Sequence, residues 1–285
     1  MNLKLKSFKS VVQKYKTVFF DAYGVLKNHK GLIPGINQTF QFLAEKNIDY
    51  FILTNDASRS PSELADYYQK AGLHEVTEFK LISSGMLARE YLRLKVKSGT
   101  IAYLGTDKSA HYIEALGLKT ISIQKLDMTK IDDITAVVFL DDEGFDWNHD
   151  INKVLNLLRR RTIPAIVCNT DKSYPVSKEE VAIAIGGISR MVEDIVGKKF
   201  IRFGKPDTQM FVYAYEHALN NGQLVDKGDI LMVGDTLGTD ILGGNKFGLD
   251  TALVLSGNTL PERASYHIQG TGIIPNYVCD SAVIQ

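Results

Sequence analysis

Short apolar runs alternate with amphipathic stretches along almost the whole chain. The runs are TVFF (17–20), DYFILT (49–54), TIAYLG (100–105), ITAVVFL (134–140), PAIVCN (164–169), DILMVG (229–234) and TALVLSG (251–257). Between them, apolar positions recur every three to four residues, as at about 36–47 and in PSELADYYQKAG (61–72). The second of these has proline in its first turn and glycine at its end, which punctuates a helix well. Strands spaced by helices predict βαβ units and a mostly parallel α/β sheet. Ligands of such sheets bind at the carboxyl ends of the strands, so the polar residues that close each run are the ones to inspect.

Residues 18–26 read VFFDAYGVL, an apolar strand that runs directly into Asp21. The run 49–53 ends in Thr54 and Asn55, and the run 229–234 ends in Gly234 and Asp235 within GDTLGTDI. Upstream of the latter, RFGKPD (202–207) sets Lys205 beside a proline. If these ends are neighbours, two carboxylates, a hydroxyl, an amide and an ammonium converge on one crevice. Paired acids with a lysine suit a phosphate bound through Mg²⁺, with hard oxygen ligands for the metal and donors for the phosphoryl oxygens. Each piece alone has a plainer reading: a turn at Thr54–Asn55, a capped helix start in GDTLGTDI, and a solvated Lys205.

Between about 84 and 183 runs a second alternating series that supplies none of these residues. It predicts an inserted domain (84–183) between two parts of a core (1–83 and 184–285), left near Ser83-Ser84-Gly85 and rejoined near Ile185-Gly186-Gly187. Glycines at both crossings suggest hinges. The chain has no repeat of fixed period and no low-complexity segment.

Composition narrows the class. The 285 residues are 45% hydrophobic and 23% charged, with 33 basic against 33 acidic side chains. That balance gives no electrostatic case for a nucleic-acid partner. No run approaches the ~18 apolar residues that span a bilayer, and the basic first sixteen residues lack the features of a signal peptide. They predict a helix leaning on the domain edge. Two distant cysteines, Cys168 and Cys279, point to a reducing compartment and a cytoplasmic location. The six histidines form no spaced cluster, and Phe145 and Trp147 read as packing residues of the insert.

The order Asp21, Thr54-Asn55, Lys205-Pro206, Gly234-Asp235 and Asp240 resembles the four motifs of the haloacid dehalogenase superfamily. GVLKNHKGLIPG, LTND, SSGM, GKPD and GDTLGTDILGG are similar to the NagD-like class IIA phosphatases, and the likeness runs from about 17 to 257. It implies a Rossmannoid core with an α/β cap inserted after the second motif. It also implies that Asp21 attacks the phosphorus of a small phosphate monoester, plausibly a sugar phosphate, and that water then hydrolyses the aspartyl-phosphate. Mg²⁺ would be held by Asp21, the Tyr23 carbonyl and Asp235, with Asp240 in support. Thr54, Lys205 and the N–H groups of Ala22 and Asn55 would cradle the phosphoryl oxygens, and Lys205 would hold Asp21 ionised. NTDKSYP (169–175) corresponds to the loop that faces substrate in relatives, and pairing of caps would make a homodimer.

Tyr23 departs from the pattern, because phosphatases of this family carry a second aspartate there as general acid and base. A phenol with a reference pKa near 10 is no base at neutral pH, though it can donate a proton. Tyr23 therefore stands in the expected catalytic set, with two alternatives open. The sequence DAYG also resembles the first motif of 2-haloacid dehalogenases, which attack carbon without metal; the acidic pair Asp235 and Asp240 and the position of the insert argue against that. The third reading is a phosphate-ester binder that has lost turnover.

Overall fold

The computed structural model describes residues 3–177, 180–220 and 226–284. Six parallel strands form the larger sheet, in the order Tyr277–Cys279, Asp250–Val254, Ile230–Gly234, Thr17–Phe20, Asp49–Thr54 and Leu81–Ser83. The Thr17–Phe20 strand lies at the centre and is buried at every position. Val18 and Phe20 face one cluster, packed with the helices Phe8–Val12, Ile36–Glu45 and Pro61–Lys70, while Phe19 faces another with Met210 and Phe211. A strand covered on both faces needs an unbroken apolar run, and that is what the sequence supplies.

The Pro61–Lys70 helix starts as its sequence predicts. Ser60 accepts from the Glu63 N–H while the Glu63 carboxylate accepts from the Ser60 N–H, a reciprocal cap that satisfies two end donors. The N-terminal helix docks by Phe8, Val11 and Val12, and the Tyr15 hydroxyl donates to Asp250 at 2.5 Å. Met1 and Asn2 lie outside the described residues.

A second parallel sheet has the order Ile201–Arg202, Ala165–Val167, Ile134–Phe139, Thr100–Leu104 and Lys119–Ser122. One face packs on the Ser84–Lys95 helix through Ile101, Val138 and Ile166, with Leu87, Ala88 and Leu92 opposite. The other packs on the helices His149–Arg160 and Ile185–Val196. The return to the core therefore falls later than residue 183. Ile185, Ile188 and Val192 share a cluster with Phe139 and Val167, and Ile201–Arg202 pairs with Ile166–Val167, so the segment to about 202 is packed with the insert.

Glycines at the crossings also allow close contact. A Cβ on Gly85 would lie 2.6 Å from the Tyr112 ring, and one on Gly186 would lie 2.4 Å from the Asp171 carbonyl oxygen. Phe145 is buried in the insert as expected, whereas Trp147 is 42% exposed and donates its indole N–H to the Asp142 carbonyl. Among the described residues no helix is long and apolar enough to cross a membrane.

Candidate active site

The register of the large sheet brings the carboxyl ends of its central strands together. Phe20 lies opposite Val233 on one side and Ile52 on the other, so Asp21 emerges between the ends that carry Asp235 and Thr54. The Asp21 N–H continues the ladder by donating to the Val233 carbonyl at 2.8 Å. The chain then turns sharply: the Ala22 carbonyl accepts from the N–H groups of Leu26 and Lys27. Gly24 lies at φ 83° with the Asp235 carboxylate so near that a Cβ would sit 2.0 Å from its oxygen. Only glycine meets both conditions.

Lys205 is fully buried at the centre of this edge. Its ammonium lies 2.5 Å from Asp21 Oδ1 and 2.8 Å from Asp240 Oδ1, and it donates to the Leu53 carbonyl at 2.8 Å. Asp240 comes from the helical turn Leu237–Ile241, where its other oxygen accepts from the Thr236 N–H. Asp235 accepts from the Asn258 N–H at 2.7 Å and the Thr236 hydroxyl at 2.8 Å. Carboxylate oxygens of Asp21, Asp235 and Asp240 all fall within 4.8 Å of one another.

Three carboxylates around one ammonium leave an excess of buried negative charge. Its electrostatic trace is plain. Burial raises Asp21 to about 6 against the lowering pull of Lys205, so Lys205 moderates the nucleophile's pKa without setting it below the ordinary range. Burial, then Asp21 and Asp240, push Asp235 well above the usual carboxylate range. Burial opposes the Lys205 charge too, but Asp21 and Asp240 outweigh it and keep the ammonium protonated. An all-oxygen set with surplus negative charge is the donor chemistry that Mg²⁺ prefers. The residues present fit the ion.

Two expected site residues have side chains held by the insert. The Tyr23 hydroxyl donates to the Pro175 carbonyl at 2.7 Å, and its ring meets that of Tyr174 edge-on at 6.4 Å. Burial raises its pKa further. The phenol thus ties the first motif to the insert and is withdrawn from proton transfer, correcting its place in the catalytic set. The Asn55 side-chain amide is likewise committed to protein: Oδ1 accepts from the Lys205 N–H at 2.7 Å, and Nδ2 donates to Thr170, Asp171 and the Lys205 carbonyl. The side chain positions Lys205 against the insert and leaves the expected role of the Asn55 main-chain N–H untouched. Thr54 keeps its predicted place in the cavity wall, its hydroxyl accepting from the Asp56 N–H.

Above the cluster lies a cavity of about 1150 Å³, roofed by the insert. The loop 169–175 lines it throughout, as the sequence suggested. Three wall residues were not singled out from the sequence: Asp141, raised by burial and then by Asp142 to about 7; Asp142, which accepts from the Tyr174 hydroxyl at 2.9 Å; and Lys27, 3.8 Å from Asp56. The strand-end rule applied to ITAVVFLDD would have found the first two, had the insert been read by the same rule as the core.

A family model described as haloacid dehalogenase-like hydrolase matches residues 18–119, and a second, HAD-hydrolase-like, matches 202–281. A crystal structure from Cytophaga hutchinsonii, described as a possible sugar phosphatase of the HAD superfamily, superposes over 100% of both chains with a TM-score of 0.95 and 57% identity. The chain belongs to the haloacid dehalogenase superfamily. Its branch is the NagD-like, class IIA one. Bovine chronophin is 28% identical over 98% of this chain and 95% of its own. Escherichia coli ribonucleotide monophosphatase NagD is 28% identical over 85% of this chain and 88% of its own. The first family model covers the first part of the core and runs into the insert's opening strands, and the second covers the core after the insert.

Proposed function

We propose that this chain hydrolyses a small phosphorylated metabolite, with Mg²⁺ as cofactor and Asp21 as nucleophile. The observation that carries the reading is the meeting of the Asp21, Asp235 and Asp240 carboxylates, with the Lys205 ammonium paired to Asp21 and Asp240. The phosphatase names of the NagD relative and of the Cytophaga structure support it. A cavity of about 1150 Å³ accommodates a metabolite much larger than phosphate itself, which agrees with a sugar or nucleotide ester.

Asp21, Asp235 and the Tyr23 carbonyl would hold Mg²⁺, with Asp240 in support. When bound, the ion lowers the repulsion between a carboxylate nucleophile and a phosphate dianion. The remaining work falls to side chains. Lys205 orients Asp21 Oδ1 and places positive charge beside the phosphoryl oxygens, and the Thr54 hydroxyl donates to one of them. Asp21 attacks phosphorus, the bond to the leaving oxygen breaks, and water later cleaves the acyl phosphate. Phosphate release from 4-nitrophenyl phosphate, with Mg²⁺ and with chelator, tests the reading. Release that needs both Mg²⁺ and an intact Asp21 is the expected result. Metal-free release of chloride from a 2-chloro acid would replace it with the dehalogenase reading, and binding without turnover would replace it with the binder.

A further inference from the structure

Phosphate-ester hydrolysis by this site, which the inference takes from the reading above, needs a proton for the leaving oxygen. The residue at the usual place is Tyr23, and its hydroxyl is given to the Pro175 carbonyl. Another protonable group must face the reacting centre. The carboxylates lining the cavity can be sorted by what already occupies them. Asp21, Asp235 and Asp240 belong to the Lys205 cluster. Asp56 accepts from the Ser58 N–H and hydroxyl and faces Lys27. Asp142 accepts from Tyr174, and Asp141 accepts from the Asp142 N–H and lies beside Asp142, Asp56 and Glu143.

Asp171 is different. It lies in the cavity wall, and its Oδ1 accepts from Asn55 Nδ2 at 2.9 Å. The same Asn55 side chain holds the Lys205 main chain on both sides, so a single amide fixes Asp171 relative to the ammonium that touches Asp21. The Asp171 N–H donates to Asn169 Oδ1, which steadies the loop, and Gly186 lets the Ile185–Val196 helix pack directly on the Asp171 carbonyl. Its second carboxyl oxygen has no hydrogen-bond partner among the described residues. Asp56 acts on both Asp171 and Asp141, but Asp171 also feels Lys205 and Asp21, whereas the other main charges on Asp141 are Asp142 and Glu143.

We propose that Asp171, supplied by the cap loop, is the general acid and base of this enzyme in place of the residue at position 23. In the first step Asp21 forms a bond to phosphorus, the bond from phosphorus to the ester oxygen breaks, and the Asp171 proton passes to that oxygen, which leaves as an alcohol. In the second, the Asp171 carboxylate takes a proton from water as the water oxygen attacks the acyl phosphate. Asp21 and inorganic phosphate are released, and Asp171 is protonated again. Burial raises this carboxyl to about 6, against Lys205 and the Asn55 hydrogen bond, which suits a group that must give and regain a proton near neutral pH.

The test is the dependence of rate on leaving group. Asp171→Asn is assayed with Mg²⁺ on esters running from 4-nitrophenyl phosphate, whose leaving group needs little protonation, to an alkyl phosphate. The expected result is a kcat loss of roughly 10²–10⁴-fold on the alkyl ester and less than about tenfold on the nitrophenyl ester. Loss of equal size across the series, no loss on the alkyl ester, or the graded pattern in Asp141→Asn and not in Asp171→Asn would overturn the assignment. A wild-type enzyme inert on every ester would instead remove the phosphatase reading on which it rests.

Discussion

Both parallel sheets end their strands at the same cavity: the core with Asp21, Thr54 and Asp235, the insert with Asp107, Asp141 and the loop from Asn169 to Lys172. On the core side Asp21 and Asp240 share one ammonium through short contacts, with the Asp235 carboxylate beside theirs. On the insert side they are spread along the wall, their main partners being uncharged donors such as Tyr174 and Asn55. Burial nevertheless raises the carboxyls on both sides, Asp21 and Asp171 each to about 6 and Asp141 to about 7. In the function proposed above, the direct Lys205 contact and the cation this cluster would hold favour the Asp21 anion as attacker, while Asp171 gives and regains the proton. The proposed nucleophile and the proposed proton carrier come from different sheets.

That contrast can be broken at either side. Asp21→Asn leaves the cluster in place and removes the attacking oxygen, so turnover should drop by roughly 10⁴-fold or more in a phosphate-release assay. Unchanged activity would take Asp21 out of the chemistry. Lys205→Met strips the ammonium from two buried carboxylates, and chemical denaturation in the presence of chelator should show a loss of about 3–5 kcal/mol. A loss under 1 kcal/mol would mean that the cluster is not held by that charge.

Tyr23→Phe deletes only the hydroxyl that reaches Pro175, a bond worth about 1 kcal/mol. It should leave kcat within a few-fold and raise KM modestly, as steady-state kinetics will show; a loss of 10²-fold in kcat would return Tyr23 to the catalytic set. The smallest effect is on the insert side. Asp141 moves from its ordinary 3.8 to about 7 on folding, chiefly by burial. Between those values the folded protein holds the extra proton, so this residue's contribution to stability declines as pH rises through the window. Asp141→Asn removes the decline. Its Tm advantage over wild type should therefore be greater at pH 8 than at pH 5, by about 2–4 °C for each kcal/mol relieved.

Much of the core could be read directly from the chain because its strands are buried on both faces. Unbroken apolar runs fixed their positions to within a residue or two, and the polar residue after each run fell into the site. Shorter edge strands such as Leu81–Ser83, Ile201–Arg202 and Tyr277–Cys279 carry too few residues for a period to show, and none of the three is legible in the pattern for that reason. Missing Ile201–Arg202 also placed the insert's end near 183. Within the site, the roles of Tyr23 and Asn55 depend on what the insert brings over them. Pro175 is 152 positions from Tyr23, and Asp171 is 116 from Asn55. Spacing along the chain carries no trace of which hydrogen bonds such distant partners will claim.

The central claim is that Asp21 accepts the phosphoryl group. Rapid acid quench during turnover of a phosphate ester with Mg²⁺, followed by mass spectrometry of the peptide containing Asp21, tests it most directly. The account predicts a phosphoryl adduct on that aspartate that forms within the first turnover and is absent in Asp21→Asn. Steady phosphate release with the adduct on any other residue would contradict it.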